Sequence, residues 1–227
     1  MLALKLGLSL VSTPILGADW TPTDEGSLEA WYQKGEGLTL DGVGVQTWAD
    51  SSTNSFDMIQ DTSTEQPSYA DGVLTFESGD TNNLQTSGAN ISMSGDFSIG
   101  AKLHIGAGNS TLLGDNTTTG EFIRFTSTTE LRIRIDNATA VNIVKDSGTW
   151  LEDAYMVLTR VSDVLTLYWN GVAQADTETL AGTADIDVIG VRRVDLNPFE
   201  GTISEIQIYS SSSTALTANI NDRLSTL

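Results

Sequence analysis

Apolar residues recur at every second position in short runs spread along most of this chain, and that period of two is what most limits the folds open to it. Phe97-Ser-Ile99-Gly-Ala101-Lys-Leu103-His-Ile105 alternates throughout, Phe122-Ile-Arg-Phe125 and Leu131-Arg-Ile133-Arg-Ile135 repeat the pattern over shorter spans, and Ile186 to Val191 and Ile203-Ser-Glu-Ile206-Gln-Ile208-Tyr209 add further sheet material. Successive side chains of an extended strand point to opposite faces, so each run reads as a half-buried β-strand. Tyr155-Met-Val157-Leu-Thr159 and Val164-Leu-Thr-Leu167-Tyr-Trp169 add two more, and Asn170-Gly171 after them is a turn pair that favours positive φ. Roughly a dozen short strands, joined by Ser, Thr, Gly and Asn turns, predict an all-β, two-sheet antiparallel sandwich. The end of the chain breaks the pattern. Leu216, Ile220, Leu224 and Leu227 recur at helical spacing, which predicts a short C-terminal helix with Thr217 as its cap.

The same period appears in its purest form at the start, where Leu2, Leu4, Leu6, Leu8 and Leu10 occupy every second position. As a strand this segment has one greasy face and no stability of its own, so it needs a partner. Strand addition to another chain is one way to cover it, and pairing with the chain's own sheet is another. A cleaved targeting signal ending near Leu16-Gly17-Ala18 is the third reading, although Lys5 lies inside the leucine run and Pro14 interrupts the apolar stretch beyond it. Pro14 and Pro22 disfavour helix, so residues 1–24 read as an extended N-terminal arm and tether, and residues 25–227 as one domain. Trp20 lies in the tether and reads as an anchor, either to the domain or to a partner.

Charge narrows the partners. Acidic residues number 30 against 11 basic ones, for a formal charge of −19, so phosphate backbones and anionic lipid surfaces are repelled. The chain also lacks an apolar run of the roughly 18 to 20 residues that a transmembrane helix needs. Neither nucleic acid nor membrane is expected as a partner. No cysteine is present, which leaves packing and backbone pairing to hold the fold without disulfides or thiolate metal sites.

Several segments, in order, resemble laminin G-like, concanavalin A-like jelly-roll domains. They are Leu28-Glu-Ala-Trp-Tyr32, Val45-Gln-Thr-Trp-Ala-Asp50, Gln66-Pro-Ser-Tyr69 with Gly72-Val-Leu-Thr-Phe76, Leu165-Thr-Leu-Tyr-Trp-Asn-Gly171 and Phe199-Glu-Gly-Thr-Ile-Ser-Glu-Ile-Gln-Ile-Tyr209. A leucine-rich start before such a domain is similar to virion surface proteins of tailed bacteriophages. The resemblance implies a non-enzymatic virion structural protein, a capsid-surface decoration held by the arm, with other virion proteins and copies of itself as partners in a homo-oligomer. The alternative it implies is a tail or fibre adhesin that binds host-surface glycan with the help of calcium.

Candidates for chemistry are few. Glycoside hydrolysis needs two carboxylates about 5 Å apart in a retaining enzyme. The nearest approach in sequence is Asp185-Ile-Asp187, which lacks flanking glutamates, while Glu200 and Glu205 would face opposite sides of a regular strand. His104, the one histidine, alternates with Leu103 and Ile105 and reads as a surface residue. No catalytic residue is therefore expected. Asp50, Asn54 and Asp57 share a polar loop and form a weak calcium candidate, with Asp80, Asn82 and Asn83, and then Asp115 with Asn116, as further sets. Arg132 and Arg134 should point outward together, and with Arg192 and Arg193 they are candidates for intersubunit contacts in so acidic a protein.

Overall fold

The computed structural model describes residues 20–115, 121–136, 139–192 and 196–227, with only the backbone described at 121 and 122. The expected strand arm, Leu2 to Leu10, lies outside the described residues, as does Arg193. In chain order the strands are β1 (Leu28–Tyr32), β2 (Leu38–Asp41), β3 (Gly44–Trp48), β4 (Met58–Ile59), β5 (Ser68–Ala70), β6 (Val73–Phe76) and β7 (Leu84–Thr86). Next come β8 (Ile91–Met93), β9 (Phe97–Ile105), β10 (Ser110–Gly114), β11 (Glu121–Phe125), β12 (Glu130–Ile133) and β13 (Val141–Val144). The last are β14 (Asp153–Val161), β15 (Val164–Trp169), β16 (Val172–Thr179), β17 (Ala184–Ile186), β18 (Val188–Ile189) and β19 (Gly201–Tyr209), followed by the helix α1 (Thr214–Ser225).

These strands pair antiparallel in two layers, as the alternation predicts. One layer runs β19–β9–β14–β15–β16, with β1 and β6 sharing the free edge of β19. The other runs β13–β12–β11–β10–β18–β7–β4–β3–β2. Between them lies a continuous core that includes Trp48, Phe76, Phe97, Phe125, Trp150, Trp169 and Phe199. Trp31, Trp48, Trp150 and Trp169 are all buried, so four of the five tryptophans build structure and present no open aromatic platform. Phe125, Trp150 and Trp169 meet edge to face with centroids 4.8 to 6.2 Å apart.

The layers are stitched together along both long edges. On one side β5 pairs with β6 of the first layer and touches β3 of the second. On the other, the β15–β16 register slips between Thr166 and Tyr168, and this bulge frees Gln174, Ala175 and Asp176 to reach the end of β13. Val144 N donates to Asp176 Oδ2 at 2.8 Å, Asp146 N to Gln174 Oε1 at 3.1 Å, and Ala175 N to Asp146 Oδ1 at 3.0 Å.

The helix lies on the outer face of the first layer. Leu216, Ile220 and Leu224 are buried against Val157 and Tyr209, with Trp20, Leu28 and Leu227 packed around them. Burying each of the three aliphatic side chains contributes about 1.5–3 kcal/mol. Gly100 on β9 makes the close approach possible, because a Cβ there would collide with Ile220 and Leu224. The cap differs from the expected one. Ser213, the last of the serine run at 210–213, accepts from Leu216 N at 3.1 Å, while Thr217 sits inside the first turn and donates to Ser213 O. The helical spacing of Leu216, Ile220 and Leu224 fixes the helix face but not where the first free amides fall.

Candidate functional site

The hairpin β14–β15 and its two-residue exit turn organise a ligand-like surface among the described residues. Tyr155 and Tyr168 both point to the outer face of the first layer, beside α1, because Tyr168 stands opposite Val157 and Tyr155 lies two positions along that same strand. Asn170 and Gly171 adopt φ of 50° and 77°, the left-handed pair of a tight hairpin turn. Asn170 Oδ1 accepts from Tyr155 N at 3.0 Å, and a Cβ on Gly171 would stand only 3.2 Å from the Tyr155 hydroxyl. The turn thus both holds the Tyr155 backbone and makes room for its phenol.

Against these tyrosines, the 217/221/225 flank of α1 completes a groove of about 360 Å³. Its lining combines two half-buried aromatic rings with the Thr217 hydroxyl, the Asn221 amide and the Asp222 carboxylate. Asn221 Nδ2 donates to Thr217 O at 2.9 Å, which fixes the amide orientation, and Asn221 Oδ1 is buried without a partner. Neither phenol hydroxyl has a protein partner among the described residues, and Lys102 Nζ lies 5.6 Å from the Tyr155 ring centroid. An aromatic-lined cleft with a few convergent polar groups, near the lower end of the ~300–1,000 Å³ typical of small-molecule sites, is the usual form of a ligand pocket.

The sites expected from the sequence lie elsewhere. Asp50 is the hub of its loop: Oδ1 accepts from Trp31 N and Ser52 N, and Oδ2 from Ser52 Oγ and Phe56 N. Asp57 Oδ1 accepts from Asp50 N, and Asn54 Nδ2 donates to the carbonyls of Leu28 and Glu29. The three side chains do come together, but they tie the loop to β1. Burial and the nearby charges of Asp50 and Asp57 raise the Tyr32 phenol well above its ordinary value. Asn82 and Asn83 brace the neighbouring loop in the same way, through Glu77 N and Gln60 Nε2. Among the described residues no group of three or more carboxylates or histidines is placed to hold a metal ion.

Arg132 and Arg134 alternate with buried Leu131, Ile133 and Ile135, as expected, but both are half-buried and engaged within the chain; Arg132 Nε donates to Asn142 Oδ1 at 3.2 Å. Arg192 is likewise half-buried and engaged. Trp20 packs on the α1 cluster and donates from Nε1 to Glu25 Oε1 at 3.0 Å, so it anchors the tether to this domain. Asp185 accepts from Ser92 Oγ, while Asp187 is buried. Glu205 is buried under α1, and Glu200 accepts from Ser78 N at the far end of β19. The tyrosine groove escaped sequence reasoning because the alternation identifies Tyr155 and Tyr168 only as strand residues. Asn221 and Asp222 join them across a helix whose docking position is a tertiary property.

The architecture is that of a lectin-type β-sandwich with a helix on its outer face. The chain belongs to the concanavalin A-like lectin/glucanases superfamily, whose laminin G-type family model matches residues 77–219. No curated protein sequence matches it. Among solved structures it is similar to a Trypanosoma rangeli sialidase in complex with a difluoro-KDN compound, with a TM-score of 0.59 and 14% identity over 90% of this chain and 33% of that one. It is also similar to domain 4 of AbnA, an extracellular arabinanase from Geobacillus stearothermophilus, in complex with arabinotriose. There the TM-score is 0.52 and the identity 15%, over 88% of this chain and 98% of that domain. The chain thus spans about a third of that sialidase's length and nearly all of the arabinanase domain.

Proposed function

We propose that this chain is a non-catalytic carbohydrate-binding module and that a neutral glycan lies in the groove between α1 and the β14–β15 hairpin. The observation that carries this reading is the pairing of Tyr155 and Tyr168 with the polar side chains of Asn221 and Asp222 in one cleft. Sugar rings offer apolar C–H faces to aromatic side chains and hydroxyl donors to amide oxygens, and the groove supplies both kinds of partner. The net charge of −19 selects against acidic glycans. The match to an arabinanase domain in complex with arabinotriose, over nearly the whole of that domain, supports a binding role for a sandwich of this size. Titration calorimetry of the full chain with arabinotriose and a panel of neutral oligosaccharides tests the reading. Binding is expected, and Y155A with Y168A abolishes it. EDTA leaves it unchanged, because both Asp50 oxygens and Asp57 Oδ1 are already engaged by the loop. Absence of binding at millimolar sugar would falsify the proposal.

A second reading is favoured by the alternating leucines: residues 1–24 fasten the domain to a virion surface, as capsid decoration or adhesin, with the glycan groove facing outward. Trp20, fixed on α1, would set where that arm leaves the domain. Co-sedimentation with particles, lost on deletion of residues 1–12, is its test; equal association of the deleted chain sinks it.

A further inference from the structure

A second cavity, of about 460 Å³, lies on the other side of the Asn170–Gly171 turn, lined by Lys145, Asp146, Glu152, Asn170 and Gln174. The first groove is bounded by Gly171 and this one by Asn170, so two consecutive residues are all that separate them along the chain. We infer that one oligosaccharide crosses this turn, with Glu152 as the anchoring acceptor of the second subsite. The inference rests on the carbohydrate-binding reading above and extends it from a single cleft to a chain of several sugar units.

The second cavity is built for a fixed acceptor. Lys145, its side chain 8% exposed, donates from Nζ to Thr149 O and Glu152 Oε1, each at 2.5 Å, and lies 5.0 and 4.9 Å from the centroids of Trp150 and Trp169. Trp169 Nε1 donates to the same carboxylate oxygen at 2.6 Å. Both donors therefore converge on Oε1, and Oε2 has no partner among the described residues. The Lys145 hydrogen bond, followed by that from Trp169, holds the Glu152 carboxyl below its ordinary range, so the group stays anionic near neutral pH. An ionised acceptor locked in place makes the stronger, charge-assisted kind of hydrogen bond with a sugar hydroxyl.

The far wall is equally well held. The β16 bulge pins Gln174 and Ala175 to Asp146, so the wall is set by bonds from backbone amides to side-chain oxygens within the protein. Exposed Val172 stands at the rim, next to the turn.

The test is a length series of neutral arabino-, cello- and malto-oligosaccharides of two to six units, read by calorimetry and by tryptophan fluorescence, since Trp169 touches Glu152 directly. For whichever series binds, affinity is expected to rise about tenfold or more between the shortest and the longer members. E152Q should remove most of that gain and leave the shortest member unaffected. V172R, at an exposed position on the rim, should do the same by obstruction. Affinity independent of length, with both variants binding like the unmodified chain, overturns the inference while leaving the single-groove reading intact. If no series binds at all, both fall together.

Discussion

The two flanks of α1 use the same kinds of residue to opposite ends. On the 219/223/226 flank every charge is answered inside the protein. Arg223 donates from Nε to Glu205 Oε1 at 2.5 Å and from Nη2 to Glu205 Oε2 at 2.9 Å; Trp31 Nε1 and Gln207 Nε2 complete the shell of Oε1, and the guanidinium lies 4.8 Å from the Trp31 ring centroid. On the 217/221/225 flank two phenols and an amide oxygen lack protein partners among the described residues. A buried polar group without a partner costs about 1–3 kcal/mol, so a fold keeps one where a ligand or water can supply the missing bond. One flank therefore fastens the helix and the other recognises a ligand. Mutations should separate stability from affinity accordingly.

The largest effect belongs to R223A. It leaves Glu205, fully buried, without its counter-charge, and removing one member of a buried ion pair costs about 3–5 kcal/mol. Urea unfolding should show that loss, and replacing both residues with methionine should cost less than R223A alone. A double variant as unstable as the single one would mean that packing, not charge, holds this flank. G100V comes next: it drives a branched side chain into Ile220 and Leu224 and should cost about 1–3 kcal/mol, enough to loosen the helix. On the other flank, Y168A should lower oligosaccharide affinity about tenfold while costing clearly less stability than R223A. If Y168A unfolds the protein as readily as R223A, the proposed division between the flanks fails.

How much of this could be read beforehand differs between fold and site. Period two in Phe97 to Ile105 and Leu131 to Ile135 marked strands and their core face, but not that β9 is buried on its other face as well, where α1 covers Gly100; Ile203 to Tyr209 was legible as strand material but not in face, because its register shifts between Ile203 and Glu205. The Asn170-Gly171 turn was equally legible, since left-handed φ at two consecutive positions admits few residues. The helix cap was not: Ser213 and Thr217 are both capping residues, and the choice depends on where β19 delivers the chain. The Asp50 loop was legible as a cluster and illegible in purpose, because a carboxylate that ties a loop and one that awaits a cation have the same sequence. Lys145 and Glu152 carried no signal at all. Their meeting depends on Trp150 and Trp169 folding under them and on a bulge in β16.

The turn between the two cavities offers a smaller effect that sharpens the same comparison. G171A places a Cβ at φ +77° and 3.2 Å from the Tyr155 hydroxyl. It should cost about 1 kcal/mol through the strained backbone and lower affinity by displacing that phenol. A loss of stability with affinity unchanged would show that Tyr155 serves only the hairpin.

The smallest expected effect is electrostatic, and it separates two carboxylates that are both held below the ordinary value of 4.5. Glu152 is lowered by its hydrogen bonds from Lys145 and Trp169, Glu200 by those from Ser78. A carboxyl whose folded value is depressed stabilises the protein fully above its unfolded value, and that contribution is lost as the pH falls through the folded value. Unfolding free energy should therefore be level from neutrality to about pH 5 and decline below about 4.5, with E152Q and E200Q each flattening part of the decline. The Glu152 part leans on a lysine cation at a half-exposed carboxylate, so added salt should screen it; the Glu200 part leans on the neutral Ser78 hydroxyl and then on its amide, which donates at 2.8 Å, and should persist. A decline equally sensitive to salt in both variants would mean that Lys145 does not hold Glu152 in solution, and the fixed acceptor of the second cavity would be lost with it.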